Sequence, residues 1–166
     1  MNSPEQRKII PKKRQNLTDL VWSMGGAATA ITLALWLVAD TSSVFLLASL
    51  GGSTVFLFAL TEAEAAQPRA LFGGHLAGAL IGILCFQLFG DSLWVSVIAV
   101  VLTMTFMMMT RTIHPPAGAN PLFMVHYHAG FSTLFMPVGV GVLTLFLVAL
   151  FWSRFRPGKR YPTRWW

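Results

Sequence analysis

Thr110-Arg111-Thr112-Ile113-His114-Pro115-Pro116-Ala117-Gly118-Ala119-Asn120-Pro121-Leu122-Phe123-Met124-Val125 is the stretch on which the reading of this chain turns. From Pro115 to Val125 it is apolar. It is nevertheless too short, and too rich in proline and glycine, for a helix that spans a bilayer, which needs about 20 apolar residues. Its neighbours are long enough: Leu93–Met109, opened by Trp94, precedes it and Phe131–Trp152 follows. Further out lie the full-length Ala70–Phe89 and the shorter Val44–Leu60, interrupted by Gly51-Gly52-Ser53-Thr54. Leu20–Ala39, bracketed by Trp22 and Trp36 as an aromatic belt would be, completes the set. The expected fold class is an all-α polytopic membrane protein with four long transmembrane helices and two short broken helices.

The charges agree. Of 166 residues, 55% are hydrophobic and only 11% are charged, against about 25% in an ordinary soluble domain. A disordered chain is excluded for want of polar residues. A disulfide-stapled module is excluded because Cys85 is the sole cysteine. Basic residues Arg7, Lys8, Lys12, Lys13 and Arg14 precede the apolar body, and Arg154, Arg156, Lys159, Arg160 and Arg164 follow it. Residues 20–153 hold only Asp40, Glu62, Glu64, Arg69, Asp91 and Arg111. Basic charge that flanks a hydrophobic body reads as membrane-flanking charge rather than as a nucleic-acid surface. The expected organisation is a basic cytoplasmic segment 1–18, a transmembrane domain 19–153, and a basic, aromatic cytoplasmic tail 154–166. The first apolar run is longer than the core of a signal peptide, and more spans follow, so cleavage is not expected. Basic flanks favour the cytoplasm. Both termini there require an even number of crossings: six if both short segments cross, the preferred count, or four if both are re-entrant.

The halves look alike, each reading long helix, short broken segment, long helix. Gly51-Gly52-Ser53-Thr54-Val55-Phe56-Leu57 stands at one break and Gly118-Ala119-Asn120-Pro121-Leu122-Phe123-Met124 at the other. Paired Gly/Pro-interrupted segments in corresponding halves point to a binding site between transporter repeats. Three crossings per half make the second half inverted, so that the breaks meet near the membrane midplane. A helix that starts inside the membrane presents unpaired amides and the positive end of its dipole, which favour an anion. Gly51, Gly52 and Gly118 would allow close backbone approach, and Ser53, Thr54 and Asn120 would add side-chain donors. Pro115 and Pro116 fix the chain direction into the second break. Ordinary kinks in packed helices explain the same glycines and prolines about equally well.

Thr110–Ala119, with its His114-Pro115-Pro116 core, resembles the signature of the HPP family of integral membrane proteins. Gln67-Pro68-Arg69 with Gly73-Gly74-His75 is similar to that family's second motif, and Gly51-Gly52-Ser53 to its Gly-Ala-Ser stretch. The tail Arg160-Tyr161-Pro162-Thr163-Arg164-Trp165-Trp166 is similar to the family's C-terminus. The resemblance covers residues 15 to 166, with departures at Gly52 and Pro121. It implies four membrane helices and a link to nitrite transport, the activity associated with plastid and cyanobacterial members. The expected location is the bacterial inner (plasma) membrane.

The candidate substrate-binding residues are thus Gly51, Gly52, Ser53, Thr54, Gln67, His75, His114, Gly118, Ala119 and Asn120, with Pro115, Pro116, Arg69 and Arg111 as structural motif residues. His114 reads either as a proton-linked group near substrate or as a hydrogen-bonded anchor; an intramembrane ionisable group favours the first. His75 divides evenly between packing and function, and Gln67 between anion binding and loop structure. Arg69 and Arg111 read first as interfacial arginines and second as substrate attractors. His126 and His128 alternate, so no helix face carries both and no metal site is expected. Gly74, Gly78 and Gly82 share a face suited to close packing, within the chain or between subunits. Met104, Met107, Met108 and Met109 read as packing filler.

No catalytic arrangement, P-loop or dinucleotide fingerprint emerges, so neither an enzyme nor a bound cofactor is expected. The leading expectation is a small-anion transporter or channel with nitrite as substrate; the alternative is a non-transporting scaffold or regulatory subunit. The expected partners are a small inorganic anion, the lipid bilayer and further copies of the chain, as dimer or trimer, and no nucleic acid.

Overall fold

The computed structural model describes residues 16–38, 48–155 and 160–165. The basic residues before Asn16, Asp40, the start of the Val44–Leu60 run, and Arg156 and Lys159 lie outside the described residues. The regular structure of the described residues is all helical: α1 Leu17–Val38, α2 Ala48–Thr54, α3 Pro68–Phe89, α4 Leu93–Thr110, α5 Asn120–His126 and α6 Val140–Arg154. A π-helical turn, Val55–Ala59, extends α2, and a 3-10 turn, Pro115–Ala119, leads into α5. Four helical segments are long and apolar enough to cross a membrane: α1, α3, α4 and Leu134–Arg154. The fold class expected from the sequence is the one observed.

Local chemistry sets several boundaries. Ser92 caps α4 by accepting the Val95 amide at 3.2 Å. Arg111 ends α4 in the left-handed region (φ 56°), so the chain reverses away from the helix axis. Pro68 opens α3, where its missing N–H costs nothing. One element departs from expectation. Phe131–Trp152 reads as continuous, but Met136 ahead of Pro137 adopts extended dihedrals (φ −126°, ψ 120°). A residue before proline is pushed out of the helical region, so the sixth segment breaks there.

Contacts fix the direction of each segment. The Arg69 guanidinium donates to the Thr110 carbonyl at 2.6 Å, which puts the start of α3 beside the end of α4. From Thr112 the chain then follows α3 upward. Thr112 lies against Gly73, His114 and Ala117 against Gly74, Asn120 against Gly78, and Pro121 and Met124 against Gly82. The run ends where His128 stacks on Phe86, ring centroids 4.8 Å apart, and pairs with Asp91 at 3.0 Å. The α6 segment returns, bringing Trp152 against Trp22 near the start of α1. The described part of the second segment descends from Leu50, packed on Gly141, to Phe58, packed on Gly26. The described chain ends, near Leu17 and at Trp165, therefore sit at one end of the bundle, here the base, with Pro68 and Thr110.

The glycine face of α3 is the pivot. Gly74, Gly78 and Gly82 are buried, and a Cβ on Gly82 would stand 2.6 Å from the Pro121 Cα and 2.7 Å from the Met124 Cβ. Of the two uses open to this face, the chain itself takes it. A surface for a second copy there is ruled out because the chain's own broken segment fills it. Elsewhere α1 packs on α6 through Ala30 and Ala34, both fully buried. Of the methionines read as filler, Met107 is buried, while Met104, Met108 and Met109 face outward.

The tail is not a free appendage. Tyr161 is 1% exposed and its hydroxyl donates to the Ala66 carbonyl at 2.8 Å. Burial pushes its phenol above the ordinary value, so it stays a donor at physiological pH.

Two sets of substitutions test this packing through thermal unfolding in detergent. Gly82→Ala is expected to cost about 1–3 kcal/mol, because the obstruction is backbone. Gly51→Ala and Gly118→Ala, which meet open space, are expected to stay within about 0.5 kcal/mol of the parent. Tyr161→Phe, which leaves a buried carbonyl unpaired, is expected to cost about 1–3 kcal/mol.

Candidate functional site

Where the two short segments meet, four polar side chains from four parts of the chain converge. Ser53 comes from α2, His75 from α3, His114 from the extended residue before the 3-10 turn, and Asn120 from the first residue of α5. Ser53, His75 and His114 are fully buried and Asn120 is 1% exposed. The Ser53 Oγ lies 2.9 Å from His75 Nε2 and 2.8 Å from His114 Nε2. Asn120 Nδ2 lies 3.1 Å from both His75 Nδ1 and the His75 carbonyl. His114 Nδ1 lies 2.6 Å from the Ala65 carbonyl at the base. The Phe56 ring lies beside that of His114, centroids 5.5 Å apart.

Acceptor chemistry assigns most of the protons. A carbonyl only accepts, so His114 carries a proton on Nδ1, and the Asn120 amide must point its NH2 at the His75 carbonyl. Asn120 then donates to His75 Nδ1, which leaves the His75 proton on Nε2, donating to Ser53. The Ser53 hydroxyl has one proton and two acceptors, His114 Nε2 and the Ser49 carbonyl at 2.9 Å. With His114 singly protonated, the Ser53 proton goes to His114. With His114 doubly protonated, its Nε2–H donates to Ser53, and the hydroxyl rotates onto Ser49. The Ser53 hydroxyl thus has two alternative acceptors, His114 Nε2 and the Ser49 carbonyl, between which a single rotation moves it.

Two buried atoms among the described residues have no hydrogen-bond partner, Asn120 Oδ1 and Thr103 Oγ1. Both side chains border Gly78: a Cβ there would lie 3.3 Å from Thr103 Cγ2 and 3.4 Å from Asn120 Cβ. Thr103 escapes a sequence reading, because one threonine in an apolar helix carries no distinguishing signal. The Ala65 carbonyl, a main-chain group, escapes it equally.

The remaining candidates lie outside this cluster. Gly52 packs on Pro116, a Cβ standing 3.1 Å from the Pro116 Cβ, so this pair joins the two breaks by shape. Gly51, Gly118 and Ala119 contribute backbone only, and the Thr54 hydroxyl turns back to the Gly51 carbonyl at 2.7 Å. Gln67 is committed elsewhere. Its NH2 donates to the Thr61 and Ala63 carbonyls, and its Oε1 accepts the Thr163 and Arg164 amides at 3.0 and 3.1 Å. It clamps the tail to the base. Gln67 also lines a polar cavity of about 190 Å³ at the base, together with Arg69, Arg111, Arg164 and Glu64, which Arg164 meets at 3.4 Å. Pro115 is exposed at the turn.

Two expectations about anion chemistry need correction. Gly51–Thr54 lie within a helix, not ahead of one, so they do not form a helix N-terminus. At the second break the Asn120 amide already bonds to the Ala117 carbonyl, and Pro121 has no N–H. Open backbone amides are therefore not the feature of these breaks; side chains are. Nor is the cluster central. His75 is the eighth residue of the 22 in α3, about 10 Å from its start at 1.5 Å per residue.

The chain is 33% identical over 92% of its length to one transmembrane protein of Dictyostelium discoideum, and 29% identical over 98% to another. It spans 53% and 60% of the lengths of those relatives. No solved structure matches. The family described as HPP, transmembrane region, matches residues 12–162, which include both breaks and the four residues of the cluster, and the chain belongs to that family.

Proposed function

We propose that this protein transports small inorganic anions across the membrane together with a proton, nitrite being the leading substrate. The observation that carries the reading is the buried Ser53–His75–His114–Asn120 cluster, at the junction of two interrupted segments in a membrane bundle. Polar and ionisable groups at such depth are costly, and interrupted segments lie typically where transporters bind substrate. In this reading His75 and Asn120 hold Ser53 in place, and the rotating Ser53 hydroxyl lets His114 exchange with the anion the proton that accompanies it. The unpaired Asn120 Oδ1 and Thr103 Oγ1 would receive a protonated anion, which carries a donor that the bare anion lacks. The resemblance to a family with nitrite-transporting members supplies the substrate. The two halves, which run through the bundle in opposite senses, act as inverted repeats that rock about the Gly52–Pro116 contact.

The orientation follows from charge. Among the described residues Arg69, Arg111, Arg154, Arg160 and Arg164 all belong to the base, whereas the opposite end carries Asp91. By the positive-inside rule the base faces the cytoplasm.

A second reading, a scaffold in which the cluster is only an anchor, draws on the fact that nearly every polar atom of the cluster is already paired. The two readings separate experimentally. In proteoliposomes loaded with a pH-sensitive dye, a nitrite gradient is expected to drive acidification, and nitrate, formate and chloride rank the selectivity. His114→Ala and Asn120→Leu are each expected to reduce flux at least ten-fold. Absence of flux for all four anions would remove the transporter; unchanged flux in both variants would remove the site.

For orientation, single cysteines are placed at Gly130 and Arg160 in a Cys85→Ala background. An impermeant maleimide is expected to label Gly130→Cys on intact cells and Arg160→Cys only after permeabilisation. The reverse pattern would invert the assignment.

A further inference from the structure

The base cavity with its three arginines does not end at the bundle surface. Arg69 and Trp165 also line an adjoining cavity of about 480 Å³, which continues past Gly73, Thr110 and Thr112 into an open groove of about 730 Å³. The groove floor is α3, at Gly73, Ala77 and Leu80; its walls are Phe106 of α4 and Val140 and Leu143 of α6. Its lining is almost wholly apolar and it opens sideways between α4 and α6, toward the surrounding bilayer.

We propose that this continuous feature binds one anionic phospholipid, with the phosphate among Arg69, Arg111 and Arg164 and an acyl chain along α3 between α4 and α6. Charge and length both favour that occupant. Three arginines against one carboxylate leave the head cavity cationic, and among the described residues Arg111 has no carboxylate partner. Arg69 spends one donor on Thr110 and retains others of its five. Basic pockets at the headgroup level of helix bundles suit acidic lipids. From Arg69 to Leu80 is 11 residues of helix, about 16 Å, the depth of one leaflet of a hydrocarbon core about 30 Å thick. A helix of a second copy would call for a groove through both leaflets. The basic residues before Asn16 would be repelled by the arginines.

The inference is independent of transport and is tested on the whole chain in neutral detergent. Native mass spectrometry is expected to find one phosphatidylglycerol retained per chain, and phosphatidylglycerol is expected to raise the thermal unfolding midpoint where phosphatidylcholine does not. Arg111→Gln with Arg164→Gln is expected to weaken phosphatidylglycerol retention at least ten-fold. Ala77→Phe, which fills the groove without touching the arginines, is expected to abolish retention while circular dichroism remains helical. Equal retention of the two lipids would overturn the proposal, as would full retention by Ala77→Phe. It would also fall if millimolar inorganic phosphate alone reproduced the stabilisation, or if a dimer dissociated on Ala77→Phe. Should the variants fail to fold, the comparison of the two lipids on the parent chain decides.

Discussion

Everything in this bundle depends on how close a non-helical backbone can come to α3. Residues 112–124 include an extended stretch, a 3-10 turn and three prolines, so much of this main chain lacks the internal hydrogen bonds of a helix. Such backbone survives at membrane depth only when protein covers it. Gly74, Gly78 and Gly82 provide the cover, since the missing Cβ atoms let α3 meet the segment at backbone distance. With that seam closed, His114 reaches His75, Pro116 meets Gly52, and the segment runs the full height from Thr112 to His128. A larger residue on the seam would meet the backbone or side chains of that segment at under 3 Å.

The cluster is economical in its chemistry. One hydroxyl, that of Ser53, lies between two imidazoles and a carbonyl, and its direction follows from which of them can accept its proton. Buried polar groups left unpaired cost about 1–3 kcal/mol each, and in either orientation the hydroxyl keeps a partner. The tail participates at one remove. Gln67 joins residues 61–63 to 163–164, and Tyr161 holds Ala66, so the loop carrying the Ala65 carbonyl is braced from two sides. His114 thereby hydrogen-bonds to a carbonyl whose position the tail helps to fix.

Much of the fold was legible in the residues, because length and hydropathy decide which segments cross a membrane. The four long helices and both short interrupted ones fall where the apolar runs and the Gly/Pro clusters put them. The break at Met136–Pro137 was missed, although Pro137 signalled it, because the apolar run around it continues unbroken. At the site, Ser53, His75, His114 and Asn120 were all singled out, and they alone among the candidates form one buried network. Gln67 could not be separated from them, since a glutamine at a helix start has the same identity whether it binds a ligand or clamps a tail. The direction of the amides was equally hidden. Gly51-Gly52 looks like a helix breaker, and only the surrounding packing keeps it helical. The glycine repeat of α3 was recognised as a packing face, but sequence has no means of saying whether its partner is the same chain or another.

The Trp22–Trp152 contact, ring centroids 5.1 Å apart with the Trp152 indole donating to the Trp22 carbonyl, joins positions 130 apart in the chain. The first helix therefore enters the bilayer long before its principal neighbour exists. During synthesis its stripe of small residues, Gly26, Ala30 and Ala34, rests against lipid tails, which are as apolar as the helix that later replaces them. Little hydrophobic gain then drives the final docking, and close packing and the indole hydrogen bond must drive it instead. The α1–α6 contact can therefore form only after the rest of the apolar body has been made, so α1 is the span that waits longest for its partner.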